Sequence, residues 1–90
     1  MLLLVSESPT KNSRLGLIVT RKVDKRAVGR NLFKRRLREI FRLHREFLSE
    51  NLDIVVIARS DSIAQEYQEL ERQFLSALSR AGLLRKVKAT

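Results

Sequence analysis

Arg30, Lys34, Arg35, Arg36 and Arg38 crowd into Ala27–Glu39, and no acidic residue lies between Arg30 and Arg38. On a helix, at about 100° per residue, Arg30, Lys34 and Arg38 stack one turn apart. Asn31, Arg35, Arg42 and Arg45 fall beside them, completing an arc of roughly 140°. Leu32, Phe33, Leu37, Ile40, Leu43 and Phe47 take most of the opposite side. A solvated helix face usually alternates sign. Here like charges recur at i,i+4 and repel, so the stripe destabilises its own helix unless a partner neutralises it. The chemistry that fits is recognition of a polyanion, each neutralised phosphate releasing counterions and making binding salt-dependent.

Asn31 is a weak helix former placed among arginines. Its amide suits a sugar or base edge, and a local cap serves equally well. Arg21, Lys22, Lys25 and Arg26 precede the helix and read as an extension of the stripe along a phosphate backbone, or as a solubilising loop.

Elsewhere the residue types do not assemble into an active site. His44 is the single histidine and has no evident partner, so it reads as a boundary residue. Glu39, Glu46 and Glu50 have the spacing to pair with neighbouring arginines. Asp53, Asp61 and Glu66 sit at element ends, where capping and dipole roles suffice. Gly16 and Gly29 do not form a phosphate-binding loop. A protein-only nuclease is disfavoured for want of clustered carboxylates or histidines to hold metal.

The elements that must position the stripe follow from the apolar pattern. Ninety residues support one domain (1–90) with a modest core. Leu2–Ser6 reads as a strand, too short for a signal peptide or a membrane span, and Glu7–Ser13 as turn-forming polar residues. Arg14–Thr20 reads as a second strand, expected to form an antiparallel hairpin with the first. Asp24 is placed to cap a helix over about Lys25–Ser49. Asp53–Ala58 is almost continuously apolar, as in a strand buried on both faces. Ser62 and Gln65 have capping-box spacing for a second helix, in which Ile63, Tyr67, Leu70, Phe74, Ala77, Leu78 and Ala81 keep helical period up to a Gly82 cap. Residues 83–90 read as a flexible basic tail. The long helix acts as a crossover, which makes strands two and three parallel.

Nineteen Lys and Arg against ten Asp and Glu give a net charge of +9, which points to nucleic acid before an anionic membrane. The absence of cysteine fits a cytoplasmic setting. No helix-turn-helix order supports a DNA-binding module. A ribosomal or other structural RNA-binding protein explains the charge equally well.

Three runs, taken in order, carry more information: Arg14-Leu15-Gly16-Leu17-Ile18-Val19-Thr20-Arg21-Lys22, then Ala27-Val28-x-Arg30-Asn31-x-x-Lys34-Arg35-x-x-Arg38-Glu39, then Asp53-Ile54-Val55-Val56-Ile57-Ala58-Arg59. Together, over about Leu2–Gly82, they resemble the protein component of bacterial ribonuclease P, whose signature is Arg-Asn-x-x-Lys-Arg-x-x-Arg. The resemblance implies a non-catalytic subunit that assists a catalytic RNA, with magnesium ions, in removing the 5′ leader from precursor tRNA. Its partners would be ribonuclease P RNA and precursor tRNA with its leader, and no membrane. Mg2+ would serve the ribonucleoprotein and not form a tight site on this chain. Carried over by position, Arg30, Asn31, Lys34, Arg35 and Arg38 are the RNA-contacting residues, and Arg21 and Lys22 match the basic pair after the strand. Arg26 and Arg42 extend that set.

The implied fold is α+β, a small β-β-α-β-α sandwich with a three-stranded sheet (a hairpin plus a parallel strand) on two helices. Its β-α-β crossover would be left-handed, as in ribonuclease P protein and ribosomal S5 domain 2-like folds, although general rules favour the right-handed form. Family members usually carry a further helix and strand ahead of the first strand read here, with aromatic residues that line a leader cleft. All five aromatics of this sequence fall on predicted helices, so stacking on a sheet platform is not expected. One face of the sheet is expected to be exposed.

Overall fold

The computed structural model describes residues 1–84. Strand β1 (Leu2–Glu7), strand β2 (Arg14–Ile18), helix α1 (Ala27–His44), a short 3-10 turn (Arg45–Phe47), strand β3 (Leu52–Ile57) and helix α2 (Tyr67–Arg80) follow in chain order. The sheet order is β1-β3-β2, with β1 antiparallel and β2 parallel to β3.

The expected parallel pairing of β2 with β3 is present, but the expected β1–β2 hairpin is not: β3 lies between them. The reason is the reach of residues 8–13, which straddle two strand spacings, about 10 Å. That connection is pinned to the start of β3, where the Ser8 N–H donates to the Asn51 carbonyl at 3.0 Å and Leu52 N–H donates to Ser13 Oγ at 3.0 Å. The central position gives the most β-branched run a hydrogen-bonded neighbour on each side.

Register separates the two faces of the sheet. Leu52, Ile54 and Val56 are buried, joined by Ala58 just beyond the strand, and pack with Phe33, Leu37 and Ile40 of α1 and Leu70, Phe74 and Leu78 of α2. The alternate residues Asp53, Val55 and Ile57 are only half-buried, so β3 is not buried on both faces as its composition suggested. Beside them Leu2, Leu4 and Ile18 are 43%, 52% and 46% exposed. This outer face is open, as expected. At its polar end Arg14 makes a two-pronged bond to Asp53, at 2.8 and 2.6 Å, tying β2 to β3.

Both helices are shorter than their patterns suggested. Helix α1 gives way at Arg45 to the 3-10 turn, leaving Leu43 and Phe47 44% and 40% exposed. Helix α2 starts at Tyr67, and the Ser62/Gln65 capping box does not form. Ser62 is instead fully buried, its Oγ accepting the Arg59 N–H at 3.2 Å, while Gln65 N–H donates to the Ser62 carbonyl at 3.2 Å. These bonds close a turn that delivers the chain to α2. The other end of α2 follows expectation. Gly82 has φ +73°, its N–H donates to the Ser79 carbonyl at 3.0 Å, and Leu83 N–H donates to Leu78 at 3.0 Å. These two bonds form a Schellman cap. Leu83 and Leu84 then pair with Leu48–Ser49; the rest of the basic tail, 85–90, lies outside the described residues.

His44 has a partner that sequence spacing concealed. Its Nε2 lies 3.0 Å from Glu71 Oε2, a contact between the end of α1 and α2.

Candidate nucleic-acid interface

Helix α1 buries Phe33, Leu37 and Ile40, and so turns Asn31, Arg35, Arg38 and Arg42 to solvent, with Lys34 half-buried beside them. Of the predicted stripe, Asn31, Lys34, Arg35, Arg38 and Arg42 are therefore brought together on one side of the helix, whereas Arg45 falls in the 3-10 turn beyond it, over the Phe41 ring. Among the described residues, Asn31, Lys34, Arg35 and Arg38 have no side-chain hydrogen-bond partner. Arg42 is paired with Glu39 one turn back, at 3.1 and 2.5 Å, and the bonded guanidinium holds the Glu39 carboxyl below its ordinary range. Arg36, on the side facing α2, donates to the Gln65 carbonyl at 2.9 Å.

Arg30 faces inward along the helix start. Its Nη1 donates to the carbonyls of Asp24 at 2.7 Å and Lys25 at 3.0 Å, so its guanidinium shapes the linker that carries Arg21, Lys22, Lys25 and Arg26. Asp24 contributes to the same junction, accepting the Arg26 N–H at 2.9 Å. It reaches the helix start because Gly29 has no side chain: a Cβ there would lie 2.1 Å from Asp24 Oδ2. Arg26 itself is the N-cap residue and leaves its own side chain 85% exposed. Arg21, Lys22, Lys25, Ala27 and Arg30 enclose an open basin of about 640 Å³ ahead of the helix.

A second groove, of about 530 Å³, lies on the other flank of α1 and is lined by Arg35, Arg36, Arg38, Glu39, Arg42 and Tyr67. Tyr67 opens α2 and belongs to that helix's apolar spacing, which is why sequence reasoning assigned it only to packing. Burial first, and then the nearby Glu71 carboxylate, push its hydroxyl up from the ordinary tyrosine value.

Among the described residues no three His, Cys, Asp or Glu side chains converge as a metal-binding group, and no helix is long and apolar enough to cross a membrane. What the arrangement offers is a set of uncommitted cationic donors along about two turns of helix, backed by a basic linker.

A family model for Ribonuclease P matches residues 1–82. The chain belongs to the ribonuclease P protein family. It is 41% identical over 78 residues to the ribonuclease P protein component of a Pseudanabaena strain, a match covering 87% of this chain and 67% of the relative. With the corresponding Marinomonas protein it shares 55% over 58 residues, covering 64% of this chain and 43% of the relative. The matches thus span between 43% and 67% of the length of these relatives. Solved ribonuclease P proteins have the same fold: that of Thermotoga maritima superposes with a TM-score of 0.75 at 33% identity, over 87% of this chain and 74% of the other. That of Staphylococcus aureus gives 0.79 at 27% identity, over 92% and 75%.

Proposed function

We propose that this chain is the RNA-binding protein subunit of ribonuclease P, assisting a catalytic RNA in removing the 5′ leader from precursor tRNA in the cytoplasm. The observation that carries the reading is the row of Asn31, Lys34, Arg35 and Arg38, outward and uncommitted on a helix of a chain of this family with net charge +9.

In this reading Arg35 and Arg38 offer planar forks to phosphate oxygens, and Lys34 a compact point charge. Asn31 supplies the amide that can reach a sugar or base edge. Arg21, Lys22 and Arg26 prolong the contact along the backbone from the linker, and Arg42 joins from the Glu39 side. Ribonuclease P RNA and precursor tRNA are both polyanions, and a cationic subunit between them reduces their mutual repulsion. The subunit therefore favours substrate binding without itself touching the bond that breaks. Magnesium serves the ribonucleoprotein in this reading and is not expected to form a tight site on this chain. Glu39, Asp53 and Glu69 are each bonded to an arginine, Arg42, Arg14 and Arg72 respectively. No metal-dependent step is assigned to these residues.

The test is binding of ribonuclease P RNA across a salt series. The reading expects log affinity to fall linearly with log salt, with a slope of several units. It also expects no cleavage by the protein alone. Salt-independent binding, or cleavage without RNA, would overturn it.

A further inference from the structure

The outward stripe accounts for phosphates, but not for the aromatic ring beside it. Of the five aromatic side chains, Phe33 and Phe74 are fully buried, Phe41 carries the Arg45 guanidinium over its ring, and Phe47 lies past the end of α1. No aromatic residue occupies a strand, so the sheet offers no stacking platform. Tyr67 is the one aromatic residue lining a groove whose other walls are four arginines and Glu39, whose carboxylate is bonded to Arg42. It is half-buried, supported from below by the core, and seated at the rigid first turn of α2.

The cations of this groove divide by what already holds them. Arg36 is spent on the Gln65 carbonyl and Arg42 on Glu39. These two bonds fix the groove walls, the first by fastening α1 to the turn before α2. Arg35 and Arg38 line the same groove and have no hydrogen-bond partner among the described residues. They are also members of the outward stripe, so the groove continues laterally from the surface assigned to RNA. A ring face, two open guanidinium forks and a fixed floor are the parts a single unpaired nucleotide requires: a π-surface for the base and donors for its flanking phosphates. A duplex would present only its backbone there, because its bases are already stacked.

We propose that the groove between α1 and the start of α2 is a subsite for one unpaired nucleotide, its base stacked on Tyr67 and its phosphates held by Arg35 and Arg38. The proposal rests on the RNA-binding reading above and adds to it a specific contact at the edge of the stripe nearest α2.

Tyr67 is the only tyrosine and the chain has no tryptophan, so the intrinsic emission of the whole protein reports this one ring. The experiment titrates the chain with a single-stranded RNA of ~10 nucleotides, with an abasic sugar-phosphate strand of equal length, and with the corresponding duplex, correcting for base absorbance. Quenching by the single strand, with little change for the abasic strand and duplex, is the expected result. Tyr67→Leu, which keeps an apolar body against the core, is expected to weaken single-strand binding about tenfold while leaving abasic-strand binding unchanged. Single-strand binding with undiminished tyrosine emission would overturn the subsite and leave the RNA-binding reading standing. No binding to any of the three would overturn both. Should the Leu variant fold poorly, the wild-type quenching still decides. Titrations with precursor tRNA and with ribonuclease P RNA, each alone, then assign the nucleotide to the RNA that quenches.

Discussion

Arg30 and Asp24 are bound through the backbone: the Arg30 guanidinium donates to the Asp24 carbonyl oxygen at 2.7 Å, while the Asp24 carboxylate turns away to take the Arg26 N–H. Arg30, one of the residues that the resemblance implies would contact RNA, is thus occupied in holding the basic linker against the helix it precedes. The signature contains two kinds of arginine, one that builds the surface and others that present charge from it.

Arg30 and Arg38 should therefore respond differently to truncation. Arg38→Ala is expected to reduce the salt slope of RNA binding by about one and leave the urea midpoint nearly unchanged. Arg30→Ala is expected to lower stability by about 1 kcal/mol and to change the slope by clearly less than Arg38→Ala. Equal slopes for both variants at unchanged stability would show that Arg30 contacts phosphate as the others do.

Gly29 and Asp24 should be energetically coupled. An added methyl at Gly29 would displace the Asp24 carboxylate and break its bond to the Arg26 N–H, which opposes the usual helix-favouring effect of Ala over Gly. Gly29→Ala is expected to destabilise the wild-type chain and to stabilise an Asp24→Ala chain, a coupling of about 1 kcal/mol in a double-mutant cycle. Additive effects would mean that the close approach contributes nothing.

Acid should loosen the carboxylate–arginine ties before it unfolds the core. Hydrogen bonds from Arg72 and Gln73 lower the Glu69 carboxyl from its ordinary 4.5 to about 2, and the Arg14 bond lowers that of Asp53. A carboxyl depressed in the folded state stabilises it above the unfolded value, and that contribution is lost as pH falls through the folded one. Urea melts are expected to show stability declining from about pH 4.5 towards pH 2, with Glu69→Gln flattening part of the decline. Both pairs are solvent-exposed, so each effect is small. A profile unaltered by Glu69→Gln would contradict the assignment.

Local chemistry made much of this fold legible. The opposition of Phe33, Leu37 and Ile40 to Arg35 and Arg38 is written in helical period, the parallel β2–β3 pairing follows from the helix between them, and Gly82 announced its cap. Relationships between distant segments were not legible. Pairing of β1 with β3 rather than β2 depends on where residues 8–13 are pinned, a contact with Asn51 and Leu52 that no local pattern encodes. Ser62 has the spacing of a helix cap but is buried and bonded to Arg59. His44 acquires Glu71, and Tyr67 acquires its arginines, only when α1 and α2 pack side by side. The chemistry of the stripe could be read from residue types; the division of its arginines into builders and presenters required coordinates.

The most direct measurement is cleavage of precursor tRNA by a bacterial ribonuclease P RNA at low magnesium, with and without this chain. The account predicts that the chain raises the cleavage rate, that it cleaves nothing without the RNA, and that a combined Arg35→Ala, Arg38→Ala change abolishes the stimulation. An unchanged rate in the presence of the folded chain would contradict the assignment of this surface to ribonuclease P.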